Sequence, residues 1–255
     1  MKIGVFGASG RIGRLVIEEI SKSQEYTLGS IFVRKELDFL PPDGTCVTND
    51  LQSFLQNCEL VIDFSLPQAT HTLLKAAMKT PVALVCGTTG LDGATFELLK
   101  KLSEKAPILY ATNMSKGVAM LDKVISLVAK GLKDADIEIS EIHHRYKKDA
   151  PSGTALSLGK TCAEARGLDL NQVRVSSRDG NIGQRTHDEI AIMSLRGGDV
   201  AGRHTIGFYL DGEYLEFTHN ATSRLTFAKG ALEAARWLMG QKNGLYSIND
   251  MFKDL

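Results

Sequence analysis

Lys2-Ile3-Gly4-Val5-Phe6-Gly7-Ala8-Ser9-Gly10-Arg11-Ile12-Gly13 is the stretch whose reading decides the fold. Lys2 to Phe6 is a short β-branched and aromatic run. From Arg11 to Ser21, apolar residues recur at helical spacing through Ile12, Leu15, Val16 and Ile20. A glycine turn joins this strand to this helix. Gly7 permits the tight turn, Gly10 lets the backbone approach a pyrophosphate, and Gly13 lets the helix pack close to the strand. The amides and dipole of the helix start then favour phosphate. The spacing is G-x-x-G-x-x-G, so the plain alternative is an ordinary glycine-rich βα turn. An apolar strand before it and a helix behind it favour dinucleotide binding.

Outward from there the alternation continues. Tyr26 to Val33, Leu60 to Phe64, Val82 to Cys86 and Ile108 to Ala111 read as strands, with helices at Ala69 to Met78 and Thr95 to Ala106. Such a pattern predicts a parallel sheet with right-handed crossovers, a Rossmann-like doubly wound α/β domain over residues 1–114. The pattern changes after Asn113. A long helix from Val118 to Leu132 precedes strand-like segments at Ile137 to His143, Glu189 to Leu195, His204 to Leu210 and Glu213 to His219, with Asp211-Gly212 as a tight turn. Residues 115–224 are therefore expected to form an α+β domain with a mixed, mostly antiparallel sheet built as a meander, for substrate binding and oligomerisation. Leu225 to Met239 is helical again, and residues 225–255 are expected to return to the first domain. The glycine-rich, charged loop Ser176 to Arg185 is the expected mobile element.

Thirty basic and thirty acidic residues in 255 leave no net charge, so a global electrostatic case for nucleic acid or an acidic membrane is absent. No apolar run approaches the roughly 20 residues of a spanning helix. Cys46, Cys58, Cys86 and Cys162 lack paired spacing, and the histidines lack zinc-site spacing, so no metal is expected. His71, His187, His204 and His219 read as structural or exposed. These features predict a cytoplasmic protein with a small-molecule ligand.

Two regions carry the chemistry. An acid at the end of the second strand would hold a ribose hydroxyl and favour NADH; here Val33 is followed by Arg34 and Lys35, which predicts that NADPH is accepted at least as well. Gly87-Thr88-Thr89-Gly90, Ala111-Thr112-Asn113-Met114 and Asp63-Phe64-Ser65 follow strands, along the expected path of the nicotinamide. The second region is Glu138-Ile139-Ser140-Glu141-Ile142-His143-His144-Arg145-Tyr146-Lys147-Lys148-Asp149-Ala150-Pro151-Ser152-Gly153-Thr154-Ala155. Adjacent His143 and His144 face opposite ways along a strand, which disfavours joint metal ligation. Lys147 offers a cation whose pKa neighbours can lower. Ser152-Gly153-Thr154 opens a helix over Ala155 to Glu164, an N-terminal anion site suited to a carboxylate. A solvated basic loop with a routine cap would explain Ser152, but not two imidazoles beside several cations.

The run from Glu138 to Ala155 resembles the signature E-x-x-E-x-H-H-x-x-K-x-D-x-P-S-G-T-A of the 4-hydroxy-tetrahydrodipicolinate reductase (dihydrodipicolinate reductase) family. The turn at Gly7 to Gly13, Val61 to Ser65, Gly87 to Gly90, Asn113, Arg196 to Gly202 and Thr218 to Ala231 resemble it too. The resemblance implies reduction of a cyclic hydroxy-imine dicarboxylate to tetrahydrodipicolinate, with loss of water and hydride from NADPH or NADH, on the diaminopimelate route to lysine. It implies His143 as proton donor/acceptor and Lys147 as proton donor to the ring. His144, Lys147, Thr89, Gly153 and Thr154 would cradle the substrate. Gly7, Ala8, Ser9, Gly10, Arg11 and Ile12, then Gly87, Thr88 and Thr89, then Ala111, Thr112, Asn113 and Met114 would contact the cofactor. It also implies a homotetramer whose second domains join their sheets. Many members carry an acid where this chain has Val33, so the cofactor expectation rests on Arg34 and Lys35. The rivals are a non-catalytic dinucleotide sensor and an NAD(P)-dependent amino-acid dehydrogenase.

Overall fold

β1 (Lys2–Phe6) has one exposed residue followed by four buried ones, and α1 (Arg11–Ser21) buries Gly13, Val16, Ile17 and Ile20 along one face. Then come β2 (Thr27–Phe32), β3 (Cys46–Thr48), α2 (Leu51–Gln56), β4 (Leu60–Asp63), α3 (Pro67–Ala77), β5 (Ala83–Cys86), α4 (Gly93–Ser103) and β6 (Pro107–Tyr110). β4 and β5 are buried at every position, as apolar strands covered on both faces must be. α5 (Lys116–Gly131) leads to β7 (Asp136–His143), α6 (Gly153–Ala165), α7 (Leu170–Val173), β8 (Arg174–Val175), β9 (Ile190–Arg196), β10 (Gly202–Leu210) and β11 (Glu213–Ala221). α8 (Leu225–Leu238), β12 (Gly244–Tyr246) and a 3-10 turn at Ile248–Phe252 follow.

This computed structural model describes residues 1–35 and 37–253. Glu36 and the last two residues of the 225–255 segment lie outside the described residues. The chain divides into two units, Met1–Lys116 with Arg224–Leu255, and Gly117–Ser223.

In the first unit the strand order is β12-β6-β5-β4-β1-β2-β3, and every pairing is parallel. The order reverses between β1 and β4, where a doubly wound sheet opens a crevice beyond its strand ends. The core there joins Phe54, Leu73, Leu84, Leu99 and Ile108. α8 packs on α1 and buries a run of small residues, Ala228, Gly230, Ala231, Ala234 and Ala235.

In the second unit the order is β11-β10-β7-β9-β8. β10 pairs antiparallel with β11 and β7, whereas β7 and β9, and β8 and β9, run parallel. The sheet is mixed. It departs from a simple meander because α6 carries the chain across between β7 and β9, and parallel neighbours require such a crossover. Ile137 and Ile139 of β7, Ile192 of β9, and Ile206 and Phe208 of β10 pack against Ile125 of α5 and Leu158 of α6. The loop expected to be mobile is tethered. Arg178 donates to both oxygens of Glu138 at 2.8 Å and to Glu189 at 2.5 Å, and Arg185 pairs with Asp136.

Candidate active site

In the first unit the candidate residues gather around Gly7. Its φ of +87° is a left-handed conformation, and a Cβ there would lie 2.6 Å from the carbonyl oxygen of Phe64. A Cβ on Gly13 would lie 2.2 Å from the Gly7 oxygen. Only glycine lets the helix sit this close to the turn. α1 starts at Gly10 with no side-chain cap and no acid in its first turn, so its leading amides are left for an anion.

A cavity of about 970 Å³ opens here, lined by Gly7, Ser9 and Gly10, by Val33, Arg34 and Lys35, and by the Arg14–Asp38 ion pair. Its apolar walls include Phe32 and Phe64. Ala8 is buried, Ile12 is half-buried and Arg11 is exposed. The cavity's size, glycine floor and cationic end fit a dinucleotide.

Asp63 organises the neighbouring rim. It is fully buried, with one oxygen accepting from the Ser65 amide at 2.9 Å and the other from the Thr70 hydroxyl at 2.5 Å. Burial raises its pKa against these hydrogen bonds. The Thr88 hydroxyl accepts from the same Ser65 amide at 3.1 Å, so the loops after β4 and β5 are laced together. Gly87 packs under the Phe64 ring, which would have to move for a Cβ that would lie 2.3 Å from it. Thr88 is buried and Thr89 exposed. Ala111 and Met114 are buried and Thr112 is exposed. The Asn113 side-chain oxygen accepts from the Ser115 amide at 2.8 Å; it shapes the loop.

The second unit gathers a cluster of ionisable groups at the end of β7. Glu141 and His143 are two residues apart and lie on one face of the strand, in line with Ile137 and Ile139. His143 Nδ1 is 2.6 Å from Oε2 of Glu141. Arg196, aligned with His143 across the β7–β9 register, donates to both Glu141 oxygens at 3.0 and 2.9 Å. The Ser152 amide donates to the same carboxylate at 3.1 Å. Burial alone would raise the Glu141 pKa, but hydrogen bonds from His143, Ser194 and Arg196 outweigh it and hold the group below the usual carboxylate range.

Ser152 caps α6 by accepting from the Ala155 amide at 3.1 Å, and its hydroxyl meets His204 Nε2 at 2.9 Å. That hydroxyl is buried and fully engaged, so Ser152 builds the helix start, while Gly153 is exposed and Thr154 half-buried. His144 is half-buried. Lys147 reaches both oxygens of Asp149, at 2.9 and 2.7 Å, and this contact draws the Asp149 pKa down.

Sequence reasoning missed Glu141, Arg196, Asp149 and His204 as members of this cluster. His204, read as structural, sits edge-on to His143 with ring centroids 5.2 Å apart. Glu141 was findable, since strand alternation puts residue i−2 beside His143.

Residues 1–114 match the family described as dihydrodipicolinate reductase, N-terminus, and residues 117–252 match dihydrodipicolinate reductase, C-terminus. The chain is 63% identical to the 4-hydroxy-tetrahydrodipicolinate reductase of Helicobacter hepaticus and 60% identical to that of Wolinella succinogenes, each over 98% of both chains. The dipicolinate-bound dihydrodipicolinate reductase of Paenisporosarcina sp. TG-14 shares the fold, with a TM-score of 0.82 at 22% identity over 98% of this chain and 99% of that one. A sheet reversing beside Gly7, a carboxylate-held imidazole at the end of β7 and matches to both halves of one reductase converge: the chain belongs to the dihydrodipicolinate reductase family.

Proposed function

We propose that this protein reduces 4-hydroxy-tetrahydrodipicolinate to tetrahydrodipicolinate at the expense of NADPH or NADH, with loss of water, on the diaminopimelate route to lysine. The carrying observation is the family match over nearly the whole chain, in a chain whose second unit clusters His143, Glu141 and Arg196 beside the start of α6. The bound nicotinamide supplies the hydride.

The protein's own residues do the rest. Gly7, Ala8, Ser9, Gly10, Arg11 and Ile12 would hold the pyrophosphate through the turn and first amides of α1. Gly87, Thr88 and Thr89, with Ala111 to Met114, would border the nicotinamide. Hydride delivered to a conjugated imine leaves negative charge on the ring, and that charge must be met by a proton. Lys147 would supply it, with His143 as a further proton donor/acceptor. His144, Thr89 and the α6 amides at Gly153 and Thr154 hold the two carboxylates, where charge-assisted bonds are strongest.

NADPH is the preferred cofactor in this reading. Arg34 and Lys35 line the cavity, and Val33 sets no carboxylate against a 2′-phosphate. A homotetramer joined through the second sheet is supported by partly apolar exposed positions on one side of it, Leu195 at 54% and Tyr214 at 63% exposure. Sedimentation of the purified protein tests that assembly. The activity is tested by supplying the cyclic substrate and following nicotinamide absorbance. Turnover with NADPH is the expected result. Absence of turnover with either nucleotide, or oxidation of amino acids instead, overturns the assignment.

A further inference from the structure

The Glu141 carboxylate carries more than its place in the sequence suggests. It is 1% exposed, and a buried carboxylate is stable only when its lone pairs are met. Here they are, by His143 Nδ1, by Arg196 on both oxygens and by the Ser152 amide. We infer that Glu141 is the positioning residue of this site: it fixes the tautomer and orientation of His143 and ties that imidazole to the first turn of α6.

The chemistry follows from the donor count. A carboxylate already accepting from a guanidinium and an amide stays ionised and can only accept. His143 Nδ1 must therefore carry its hydrogen in both protonation states. The proton that comes and goes is the one on Nε2, which no protein group bonds among the described residues. When the imidazolium releases a proton, the Nε2–H bond breaks and its electron pair stays on Nε2. Nδ1–H remains on Glu141, which is never protonated. Second-sphere carboxylates orient imidazoles this way in other settings.

The same carboxylate reaches the substrate-holding side. Through the Ser152 amide it anchors the residue whose hydroxyl caps α6 and bonds His204. One buried group thus sets both the proton-handling nitrogen and the helix end where an anion would bind.

The charged and titratable groups around His143 are Glu141 on β7, Arg196 on β9, His204 on β10 with His219 across from it on β11, and His144, Lys147 and Asp149 in the following loop. Glu141 is the anion bonded to the ring. Removing its charge leaves Arg196 uncompensated beside the imidazole and takes away the acceptor that keeps the ring hydrogen on Nδ1.

The catalytic consequence rests on the reductase reading; the coupling itself does not, and ring-nitrogen NMR of the full chain separates the two. In Glu141→Gln the neutral His143 ring is expected to populate the Nε2–H tautomer, which the ring-nitrogen shifts report directly. kcat falls at least tenfold while KM for the dicarboxylate moves less. Glu141→Asp keeps the charge and restores part of both effects; should Glu141→Gln not fold, Glu141→Asp against wild type decides through its smaller tautomer change. An unchanged tautomer in the folded variants overturns the inference. A changed tautomer with full activity in His143→Ala upholds the coupling and overturns the catalytic role given to His143.

Discussion

Lys147 holds both oxygens of Asp149, two residues along the chain, at 2.9 and 2.7 Å. The ammonium is 19% exposed and the carboxylate 65%, so the pair sits at the water boundary and is worth at most about 1 kcal/mol. If Lys147 binds the dianionic substrate as proposed, the substrate competes with Asp149 for the ammonium. Asp149→Asn is expected to lower KM for the dicarboxylate about 2- to 5-fold, the range that energy corresponds to. Lys147→Ala is expected to lower kcat at least about 100-fold with a modest change in KM. Steady-state kinetics checks both, and near-normal turnover in Lys147→Ala would remove this lysine from the chemistry.

The Arg14–Asp38 pair offers a similar competition at the cofactor end. Arg14 is paired with Asp38, and both line the cavity with Arg34. Asp38→Asn frees Arg14 for a phosphate and removes a repelling charge, so KM for NADPH should fall several-fold with KM for NADH nearly constant. Arg34→Ala should raise KM for NADPH at least about 10-fold more than for NADH, through loss of a charge-assisted contact. Equal effects on both nucleotides would exclude Arg34 from the 2′-phosphate.

These residues show what a sequence discloses and what it hides. β1 and α1 form where periodicity and glycine spacing indicate, because strong local pattern and tertiary burial agree there. β3, β8, β12 and α7 span two to four residues each, too few to show a period. Strand pattern also carries no direction, so the parallel pairing of β7 with β9 was invisible even though α6 between them was legible. The same limit governs the site. His143 and Lys147 announce themselves by residue type in one dense run, whereas Arg196 and His204 join His143 only through sheet register, more than fifty residues further along the chain.

Close packing of α8 gives a stability prediction. A Cβ on Gly230 would lie 1.7 Å from the carbonyl oxygen of Met114, whereas one on Gly131 meets nothing within 4 Å among the described residues. Gly230→Ala must push backbone apart and is expected to destabilise by about 1–3 kcal/mol or more. Gly131→Ala, at the end of α5, is expected to stabilise by about 0.4–1 kcal/mol through the unfolded chain. Urea unfolding of the two variants checks the contrast. Comparable midpoints would mean that α8 can shift without loss.

His204 ties stability to pH. The imidazole is buried, with Nε2 on Ser152 and Nδ1 lacking a partner among the described residues. Burial, aided by the nearby His143, lowers its pKa from 6.5 to about 4. The folded protein therefore resists protonating a group that the unfolded chain protonates readily. Above pH 6.5 the ring is neutral in both states and its protonation adds no pH-dependent cost. As pH falls from 6.5 toward 4 the unfolded state binds the extra proton, and up to about 3 kcal/mol of stability is lost. His204→Gln cannot titrate and keeps a polar group near Ser152, so its stability should change less across that window even if it is lower at pH 7. Urea midpoints measured at half-unit steps from pH 4 to 7 decide the matter. Parallel curves for wild type and variant would assign the acid sensitivity to other groups.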